Sequence, residues 1–317
     1  MPEIKESELI LSEHTVTVIV CTYNGEKYIS EQLDSLLAQT YKKMRIVIYD
    51  DLSTDATWEV LSRYAMRYES VSIVRNDRRL GVVANFERAI AKTDTPYIAL
   101  CDQDDIWFPD KLERSVKMLE PYDDIPAYIH TDLCVVDENA NVVHPSFFRW
   151  KGYVFPEKKS TDILISRSGV MGNTVVMNRR MKARVLPFLS ADVMHDYHIG
   201  VIGELFGKRI TLREPTLYYR IHGNNAGNRR KSLKEKISAF FSDPLPYGSL
   251  RPYLQLLLKR KPDISDRNII EDFIVCISYK SFASLVRCLY RKHYFKADSL
   301  YRLRVLVRYL FARKGMR

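Results

Sequence analysis

Three carboxylates follow a short apolar run near residue 100. Asp102, Asp104 and Asp105 come directly after residues 96–100 (PYIAL), which have the character of a buried strand. Carboxylates crowded at the end of such a strand repel one another and are costly to desolvate, and a divalent cation relieves both costs. Hard oxygen ligands suit Mg²⁺ or Mn²⁺, which commonly bridge to substrate phosphates. The alternative is an acidic loop in which Asp105 caps the next helix.

Two further strand-like runs also end in polar side chains. The run TVTVIV at 15–20 leads into CTYNG, and RIVIYD at 45–50 leads into DLSTD. In open parallel sheets, ligands bind beyond the carboxyl ends of the strands. The three polar clusters therefore predict one ligand site at a single sheet edge, because separate capping roles hardly account for all three.

The elements that position these clusters alternate between strand and helix patterns. In chain order, the predicted strands are 15–20, 45–50, 71–75, 97–101 and 127–136, and the predicted helices are 26–38, 54–68, 82–91 and 109–119. Ser53 is the predicted cap of the second helix. Strands that alternate with helices of this length predict an α/β fold on an open, mostly parallel sheet.

The second half of the chain is less regular. Residues 138–167 contain several aromatic residues, and we interpret them as a loop that either covers the substrate or packs on the surface. Further strands are predicted at 169–178, 209–212 and 217–220, and further helices at 179–186 and 194–206. From residue 232 onward the pattern is helical.

Basic charge is concentrated at the end of the chain. The formal net charge is +10, and residues 229–317 contain 21 Lys/Arg against 7 Asp/Glu. Such a field attracts anionic partners. No apolar run reaches the roughly 18 residues of a membrane span, and the polar start of the chain does not resemble a secretory signal. Five scattered cysteines without a CxxC pair predict reduced thiols in a cytoplasmic protein.

Four segments, in order and spacing, resemble glycosyltransferase family 2, whose members have the GT-A fold. They are TVIVCTYNGEKYISEQLDSLLAQTY, IVIYDDLSTDAT, LGVVANFERAI and LCDQDDIWFPDKL. The resemblance extends over residues 15–225. It implies an inverting, metal-dependent enzyme that moves a sugar from a nucleoside-diphosphate sugar to a saccharide hydroxyl. The segments HDYHI and YRIHGNNAGN resemble the rhamnosyltransferase branch, which acts in bacterial surface-polysaccharide synthesis.

The resemblance implies a set of donor-binding residues. In the family, an aromatic residue after the first strand stacks on the nucleotide base, and Tyr23 matches it. Asp51 matches the aspartate that hydrogen-bonds the base, with Asp50 as the alternative, and Asp102 matches the residue that contacts the ribose or the metal. The complete set of implied donor-binding positions is Thr22, Tyr23, Asn24, Glu26, Asp50, Asp51, Asp102, Gln103 and Arg220.

The same resemblance implies Mn²⁺ or Mg²⁺ as the cofactor. Asp104 matches the direct metal ligand, and Asp102 is a second candidate ligand. His222 resembles a histidine that completes the metal shell or touches the diphosphate, and Arg220 is placed to pair with that diphosphate. Asp105 has either a structural or an outer-shell role.

Asp196 in the HDYHI segment matches the catalytic base of the family. An inverting transfer needs one carboxylate near the acceptor hydroxyl, opposite the leaving diphosphate, and no enzyme nucleophile. A charge that favours a helix N-terminus is the structural alternative, and both roles are compatible. The preceding residue is His195, where the family usually has an acid, so the match to the Glu-Asp form of the motif is incomplete.

Other functional classes fit less well. A sugar nucleotidyltransferase needs a Gly-rich, basic phosphate loop after its first strand, whereas residues 22–27 contain one glycine. A nucleic-acid-binding protein would agree with the pI of 9.2, but the chain contains no recognisable motif for it and the basic excess lies outside the predicted sheet. A glycosidase requires two facing carboxylates and no nucleotide site.

Three regions follow from these patterns. They are an N-terminal tail (1–14), a GT-A catalytic domain (15–230, with a donor-binding half at 15–137 and an acceptor half at 138–230) and a basic helical region (231–317). Predicted partners are a dTDP- or UDP-linked sugar and a saccharide acceptor, free or lipid-linked, and no nucleic acid. The expected location is the cytoplasm. The basic region either contacts the inner face of the membrane or packs on the catalytic domain or a second subunit.

Overall fold

Nine strands form one sheet in the computed structural model, which describes residues 14–166, 168–222 and 249–278. Central strands such as β1 are buried on both faces, which is typical of the parallel part of a sheet. The strands are β1 (Val16–Thr22), β2 (Met44–Asp50), β3 (Val71–Arg75), β4 (Tyr97–Cys101), β5 (Ile106–Trp107), β6 (Ala127–Val136), β7 (Val142–His144), β8 (Val176–Asn178) and β9 (Lys208–Arg220).

Helices cover the sheet and connect its strands. Most carry one buried apolar stripe; in α1, for example, Ile29, Leu33 and Leu36 are inaccessible to solvent. The described helices are α1 (Ile29–Leu37), α2 (Thr57–Arg67), α3 (Val82–Lys92), α4 (Lys111–Leu119), α5 (Phe147–Lys151), α6 (Thr161–Ser166), α7 (Arg179–Val185), α8 (His195–Phe206), α9 (Leu250–Arg260) and α10 (Arg267–Ile277).

The strand order is β3-β2-β1-β4-β8-β6-β9-β5, with β7 paired to β6. The first four strands are mutually parallel, so their carboxyl ends share one edge. The rest of the sheet is mixed: β6 and β9 are parallel, whereas β8 is antiparallel to both β4 and β6. The predicted α/β fold is confirmed, and the three polar clusters after β1, β2 and β4 lie at the same edge.

The second half of the chain differs in detail from its prediction. Residues 138–167 are not simply a loop, since they contain β7, α5 and α6. The hydroxyl of Ser146 caps α5 by accepting a hydrogen bond from the Arg149 N–H. The spacing of apolar residues in the sequence does not predict this short helix. The two strands predicted at 209–212 and 217–220 are one continuous strand, β9, whose pairing with β6 shifts register near Asp132.

Helices α9 and α10 pack against the rest of the described structure rather than standing apart. Contacts link α10 to α6 and to α9, and Tyr253, Leu257 and Phe273 are fully buried. This part of the basic region therefore has a core-facing side. No described helix has both the length and the apolar character needed to cross a membrane.

Some predictions concern residues outside the described ranges. They are the N-terminal tail up to residue 13, the glycine- and asparagine-containing segment at 223–228, and residues 231–248 and 279–317 of the basic region, including their membrane or subunit contacts. Of the cysteines, Cys21, Cys101 and Cys134 are free, as predicted. Cys276 is disulfide-bonded, so the expectation of reduced thiols throughout is wrong at this position.

Candidate active site

The side chain of Gln103 joins two of the polar clusters. Its Oε1 accepts a hydrogen bond from the Tyr23 N–H at 2.8 Å, and its Nε2 donates to the Tyr23 carbonyl at 3.1 Å. Gly25 leaves the space for this contact, because a Cβ at that position would lie 2.5 Å from Gln103 Oε1. The loop after β4 is thereby fastened to the loop after β1, and Gln103 itself is engaged by the backbone.

Asn24 and Glu26 connect the loop after β1 to the start of α2. Asn24, which has a φ of 49°, accepts a hydrogen bond from the Thr54 N–H at 2.9 Å through its Oδ1. Glu26 Oε2 accepts one from the Ala56 N–H at 2.8 Å. Both side chains thus order the donor-facing loops, and their direct contact with a donor stays a prediction.

Asp50 is fully buried and ties the end of β2 to its surroundings. Its carboxylate accepts hydrogen bonds from Thr22 Oγ1 at 3.2 Å and from the Ser53 N–H at 3.0 Å, and it forms an ion pair with Arg75 at 3.4 Å. Asp50 therefore holds the turn after β2, and its contact with a nucleotide base stays a prediction. Thr22 is equally buried, with 2% of its surface exposed.

Asp51 organises the segment that enters α3. Its carboxylate accepts hydrogen bonds from Asn76 Nδ2 at 2.8 Å, from the Leu80 N–H at 2.7 Å and from the Gly81 N–H at 2.8 Å. With 3% exposure, Asp51 is buried, and three donors of the protein already contact its carboxylate. A hydrogen bond from a nucleotide base N–H to the Asp51 carboxylate stays a prediction.

Arg79, on the segment that Asp51 holds, lies over the ring of Tyr23. The guanidinium carbon is 3.6 Å from the ring centroid, which is a close cation–π contact. Arg79 was absent from the residues selected by sequence, because no strand end or motif marks it. Tyr23 and Arg79 together present a flat aromatic and cationic surface beside the donor-facing loops.

Negative charge accumulates after β4. Burial, and then the neighbouring charges of Asp104 and Asp196, raise the pKa of Asp102 to about 7. The interaction between Asp102 and Asp196 shows that two segments 94 positions apart in the sequence meet at this edge. Carboxylates this crowded are the setting in which a cation is stabilising.

Asp105 is completely buried and does not cap the next helix. Its carboxylate accepts hydrogen bonds from Asn173 Nδ2 and from the Arg220 N–H, the latter at 3.3 Å, while α4 begins after Asp110. Burial and then repulsion from Asp104 and Asp102 raise the pKa of Asp105. The capping alternative for Asp105 is therefore wrong, because its side chain is used inside the core.

Arg220, at the end of β9, connects the acidic loop to two other segments. Its Nε donates to the Asp104 carbonyl at 3.1 Å, its Nη1 to the Glu138 carbonyl at 2.9 Å, and its Nη2 forms an ion pair with Glu31. Only 2% of its surface is exposed. Arg220 thus positions the Asp104 loop, and its contact with a diphosphate stays a prediction.

His222 meets Asp104 directly. Its Nε2 lies 2.8 Å from Asp104 Oδ2, and its ring centroid is 5.0 Å from that of Tyr28. No three described His, Cys, Asp or Glu side chains are grouped so as to hold a metal by themselves. A carboxylate and an imidazole that converge on one point do fit a metal that draws its other ligands from substrate oxygens and water.

Asp196 stands at the start of α8, on the acidic edge. Burial raises its pKa to about 6, and backbone hydrogen bonds, first from Tyr197 and then from Gly172, oppose this rise. The preceding His195 is buried, with its ring stacked 4.1 Å from that of Phe86, and neither ring nitrogen has a hydrogen-bond partner. Burial lowers the pKa of His195 to about 3, so it is a neutral packing residue.

Tyr219 is a second residue that the sequence did not single out. It is half-buried beside Phe147, with 6.0 Å between the ring centroids. Burial raises its pKa, as do the charges of the acidic group, which comprises Asp105, Asp102, Asp104 and Asp196. Its phenol therefore stays protonated among the four carboxylates. The pairing of β9 with β6, in which Tyr219 lies opposite Val135, brings Tyr219 near these carboxylates.

Comparison with known proteins agrees with this arrangement. The sequence profile described as "Glycosyl transferase family 2" matches residues 17–236. An uncharacterised protein of Mycobacterium tuberculosis is 30% identical over 213 residues, which cover 66% of this chain and 59% of that protein. The dTDP-rhamnosyl transferase RfbG of Shigella flexneri is 28% identical over 237 residues, covering 68% of this chain and 76% of RfbG. The chain belongs to glycosyltransferase family 2.

Solved structures share the fold at low sequence identity. Staphylococcus aureus TarS 1–349 in complex with UDP-GlcNAc has a TM-score of 0.58 and 15% identity, over 92% of this chain and 78% of that one. The mannosyltransferase PcManGT of Pyrobaculum calidifontis, in complex with GDP-Man and Mn²⁺, has a TM-score of 0.51 and 20% identity, over 95% and 80%. The fold is that of the GT-A glycosyltransferases.

Proposed function

We propose that this protein is an inverting, metal-dependent glycosyltransferase that moves a sugar from a nucleoside-diphosphate sugar to a saccharide hydroxyl. The observation that carries the proposal is the contact of Asp104 with His222, 2.8 Å from Oδ2 to Nε2, at the carboxyl edge of the sheet, where the charge of Asp196 also acts on Asp102. Family membership supplies the reaction class. The pathway we propose is bacterial surface-polysaccharide synthesis.

The nucleotide would bind at the loops after β1 and β2. The ring of Tyr23 and the guanidinium of Arg79 form a flat surface suited to a nucleobase, because stacking on an aromatic ring accepts any base. Asp51 fixes the backbone that carries Arg79. We infer that either the base displaces Arg79 from Tyr23 or the two residues enclose it.

Asp104 and His222 would hold the divalent cation, Mn²⁺ or Mg²⁺. A bound cation would neutralise charge on the departing nucleoside diphosphate. The related fold of PcManGT is known with GDP-Man and Mn²⁺. Arg220 keeps the Asp104 loop in place through the Asp104 carbonyl, so its contribution is to position the ligand residue.

Asp196 would act as the general base toward the acceptor hydroxyl. Its raised pKa, about 6, leaves the carboxylate ionised at neutral pH and more basic than an ordinary aspartate. A single base that takes the proton of the acceptor hydroxyl, with no enzyme nucleophile, corresponds to a single displacement. The product should therefore have the inverted anomeric configuration, which NMR of the new linkage would establish.

The donor is proposed to be a dTDP- or UDP-linked sugar. The relative RfbG is named as a dTDP-rhamnosyl transferase, and TarS is known in complex with UDP-GlcNAc. A panel of nucleotide sugars, assayed for released nucleoside diphosphate with saccharide acceptors, tests the proposal. In parallel, a nucleoside diphosphate with Mn²⁺ should raise the melting temperature through mass action. The proposed function would be refuted if no nucleotide stabilised the protein and no sugar donor were turned over.

A further inference from the structure

Two neighbouring cavities lie beside α7, away from the acidic edge. The first, about 270 Å³, is lined by Arg184, Arg260 and Lys261, with an apolar floor that includes Leu186 and Ile202. The second, about 290 Å³, shares Leu186 with the first. It adds two more cationic side chains, Arg179 and Lys182. We call these five cationic residues the basic face.

The segments that form the basic face have a single sign of charge. Residues 179–191 and 250–262 together contain eight Lys/Arg and no Asp/Glu. One described carboxylate, Asp94, lines the second cavity; it is ion-paired with Arg45, and its charge also acts on Lys182. These two segments therefore supply no carboxylate to neutralise the basic face. An anionic partner would relieve the repulsion among its cationic side chains.

The cations of the basic face differ in how far the protein itself engages them. Lys182 Nζ donates hydrogen bonds to the carbonyl oxygens of Ala91, at 3.1 Å, and of Thr93. Among the described residues, no carboxylate lies within ion-pair distance of Arg184, Arg260 or Lys261. By contrast, the neighbouring Arg180 pairs with Asp124 at 3.8 Å. The guanidinium groups of Arg184 and Arg260 sit on exposed residues, so they can meet a partner without local unfolding.

The basic face and the candidate base lie on opposite sides of the same helix. Asp196 on α8 interacts with Asp102 of the acidic edge. His198, two residues further on and therefore about 200° around the helix, turns to the other side. Its Nε2 is 2.8 Å from the Val185 carbonyl and its Nδ1 is 2.9 Å from the Tyr253 hydroxyl. A partner on the basic face would leave Asp196 open to substrates.

We propose that the basic face is a docking surface for the anionic lipid headgroups of a membrane. This goes beyond sugar transfer and does not depend on the identity of the donor. It narrows the membrane contact expected of the basic region (231–317), because it combines α9 of that region with α7 of the catalytic domain. Anionic lipid supplies the negative charge, and the apolar floor around Leu186 and Ile202 suits the glycerol and upper acyl region of a lipid.

The linings favour a lipid surface over a nucleic acid. Single-stranded nucleic acids are held by exposed aromatic rings that stack on bases as well as by cations. Apart from the buried imidazole of His198, the described residues that line the two cavities include no aromatic side chain. Each Lys or Arg close to an anionic membrane strengthens binding about fivefold, so the four cations of the basic face other than Lys182 suffice for reversible attachment.

Vesicle co-sedimentation of the full chain tests the proposal. Wild-type protein is mixed with phosphatidylcholine vesicles, or with vesicles that also contain about 30 mol% phosphatidylglycerol, to supply the anionic field. The test variant is Arg184→Glu/Arg260→Glu. The matched control is Arg63→Glu/Arg67→Glu on α2, which changes the net charge equally at two exposed positions away from the basic face.

We expect wild type and control to sediment with anionic vesicles only, and more weakly at higher salt. The test variant should bind at least about 25-fold more weakly, from about fivefold for each cation. The milder Arg184→Gln/Arg260→Gln replaces it if the glutamate variant does not fold. Nucleoside diphosphate with Mn²⁺ should stabilise wild type and both variants equally, so failure of the proposed function would be seen separately.

Three results would overturn the proposal. One is a wild-type chain that stays in the supernatant with anionic vesicles. Another is equal binding by the test and control variants, since attachment would then come from bulk charge or from residues outside the described ranges. The last is binding to a single-stranded oligonucleotide that depends on Arg184 and Arg260 in the absence of vesicle binding, which would make nucleic acid the partner.

Discussion

Asp104 Oδ2 and His222 Nε2 are 2.8 Å apart, although 118 positions separate them in the sequence. The pairing of β5 with β9, in which Ile106 faces Tyr218, brings the two segments together. The carboxylate and the imidazole are thus placed by strand register rather than by a local motif. This pair is where a metal ion fits, and it makes the acidic loop and the end of β9 one functional unit.

Metal dependence is tested by Asp104→Asn. We expect this variant to lose activity by about 100-fold or more, because the cation would lose its only charged ligand of this pair. His222→Ala should weaken the apparent Mn²⁺ affinity by about 10- to 100-fold while leaving some activity at high Mn²⁺. Activity is measured against Mn²⁺ concentration, after chelation. Full activity of the wild type in excess chelator would contradict the assignment.

The base assignment is tested by Asp196→Asn. The rate of transfer should fall by about 10²- to 10⁴-fold, since the variant cannot accept the proton of the acceptor hydroxyl. Donor binding should be preserved, because Asp196 acts on the acceptor and not on the nucleotide. The melting shift caused by nucleoside diphosphate with Mn²⁺ reports donor binding. A variant that keeps its turnover but loses the melting shift would show that Asp196 belongs to the donor site.

The pH dependence of the reaction should reveal the raised pKa of Asp196. Only the ionised carboxylate is a base, so the transfer rate should fall by about tenfold for each pH unit below about 6. Burial disfavours the ionised form in the folded state. The free energy of unfolding contributed by Asp196 therefore decreases as the pH rises from 4 to 6.

In Asp196→Asn that decrease should be absent. The difference in the free energy of unfolding, variant minus wild type, should therefore be roughly 1–2 kcal/mol larger at neutral pH than at pH 4. Denaturant unfolding of both proteins at the two pH values measures the difference. A pH-independent difference between wild type and variant would mean that the Asp196 carboxylate is not perturbed by burial.

Arg220→Lys tests the role of the buried guanidinium. A lysine keeps the charge but cannot contact the Asp104 carbonyl, the Glu138 carbonyl and Glu31 together, because it lacks the planar fork of arginine. We expect a loss of about 2 kcal/mol in the free energy of unfolding and a weaker apparent Mn²⁺ affinity.

The control is Glu31→Gln, since the Glu31 side chain is half exposed and its ion pair should contribute under about 1 kcal/mol. Denaturant unfolding and Mn²⁺ titration of activity follow the two effects. If Arg220→Lys weakened diphosphate binding without changing stability or Mn²⁺ affinity, Arg220 would be a direct donor ligand instead.

The sequence alone was sufficient to predict the first four strands and the common edge at which they end. β1 and β2 are rich in β-branched residues and β4 is an apolar run. Polar residues follow each of them at once, and the carboxyl ends of neighbouring parallel strands lie at one edge. Local capping was less predictable. Ser53 is predicted to cap α2, but its hydroxyl donates to the Asp50 carboxylate and accepts from the Asn24 N–H. At the start of α2, the Asp55 carboxylate accepts the hydrogen bond from the Thr57 N–H instead.

Tertiary structure decided which of the polar residues face a ligand and which hold the loops. Asp50, Asp51 and Asp105 look equivalent to Asp104 in the sequence, but their carboxylates contact donors brought in from other segments. Arg79 and Tyr219 reach the site only through long-range packing. The local pattern of apolar and polar residues predicts the strands and their ends, because strand formation depends mainly on residues that are close together in the sequence. The partner of a buried carboxylate depends on strand order and register, which bring together residues far apart in the chain.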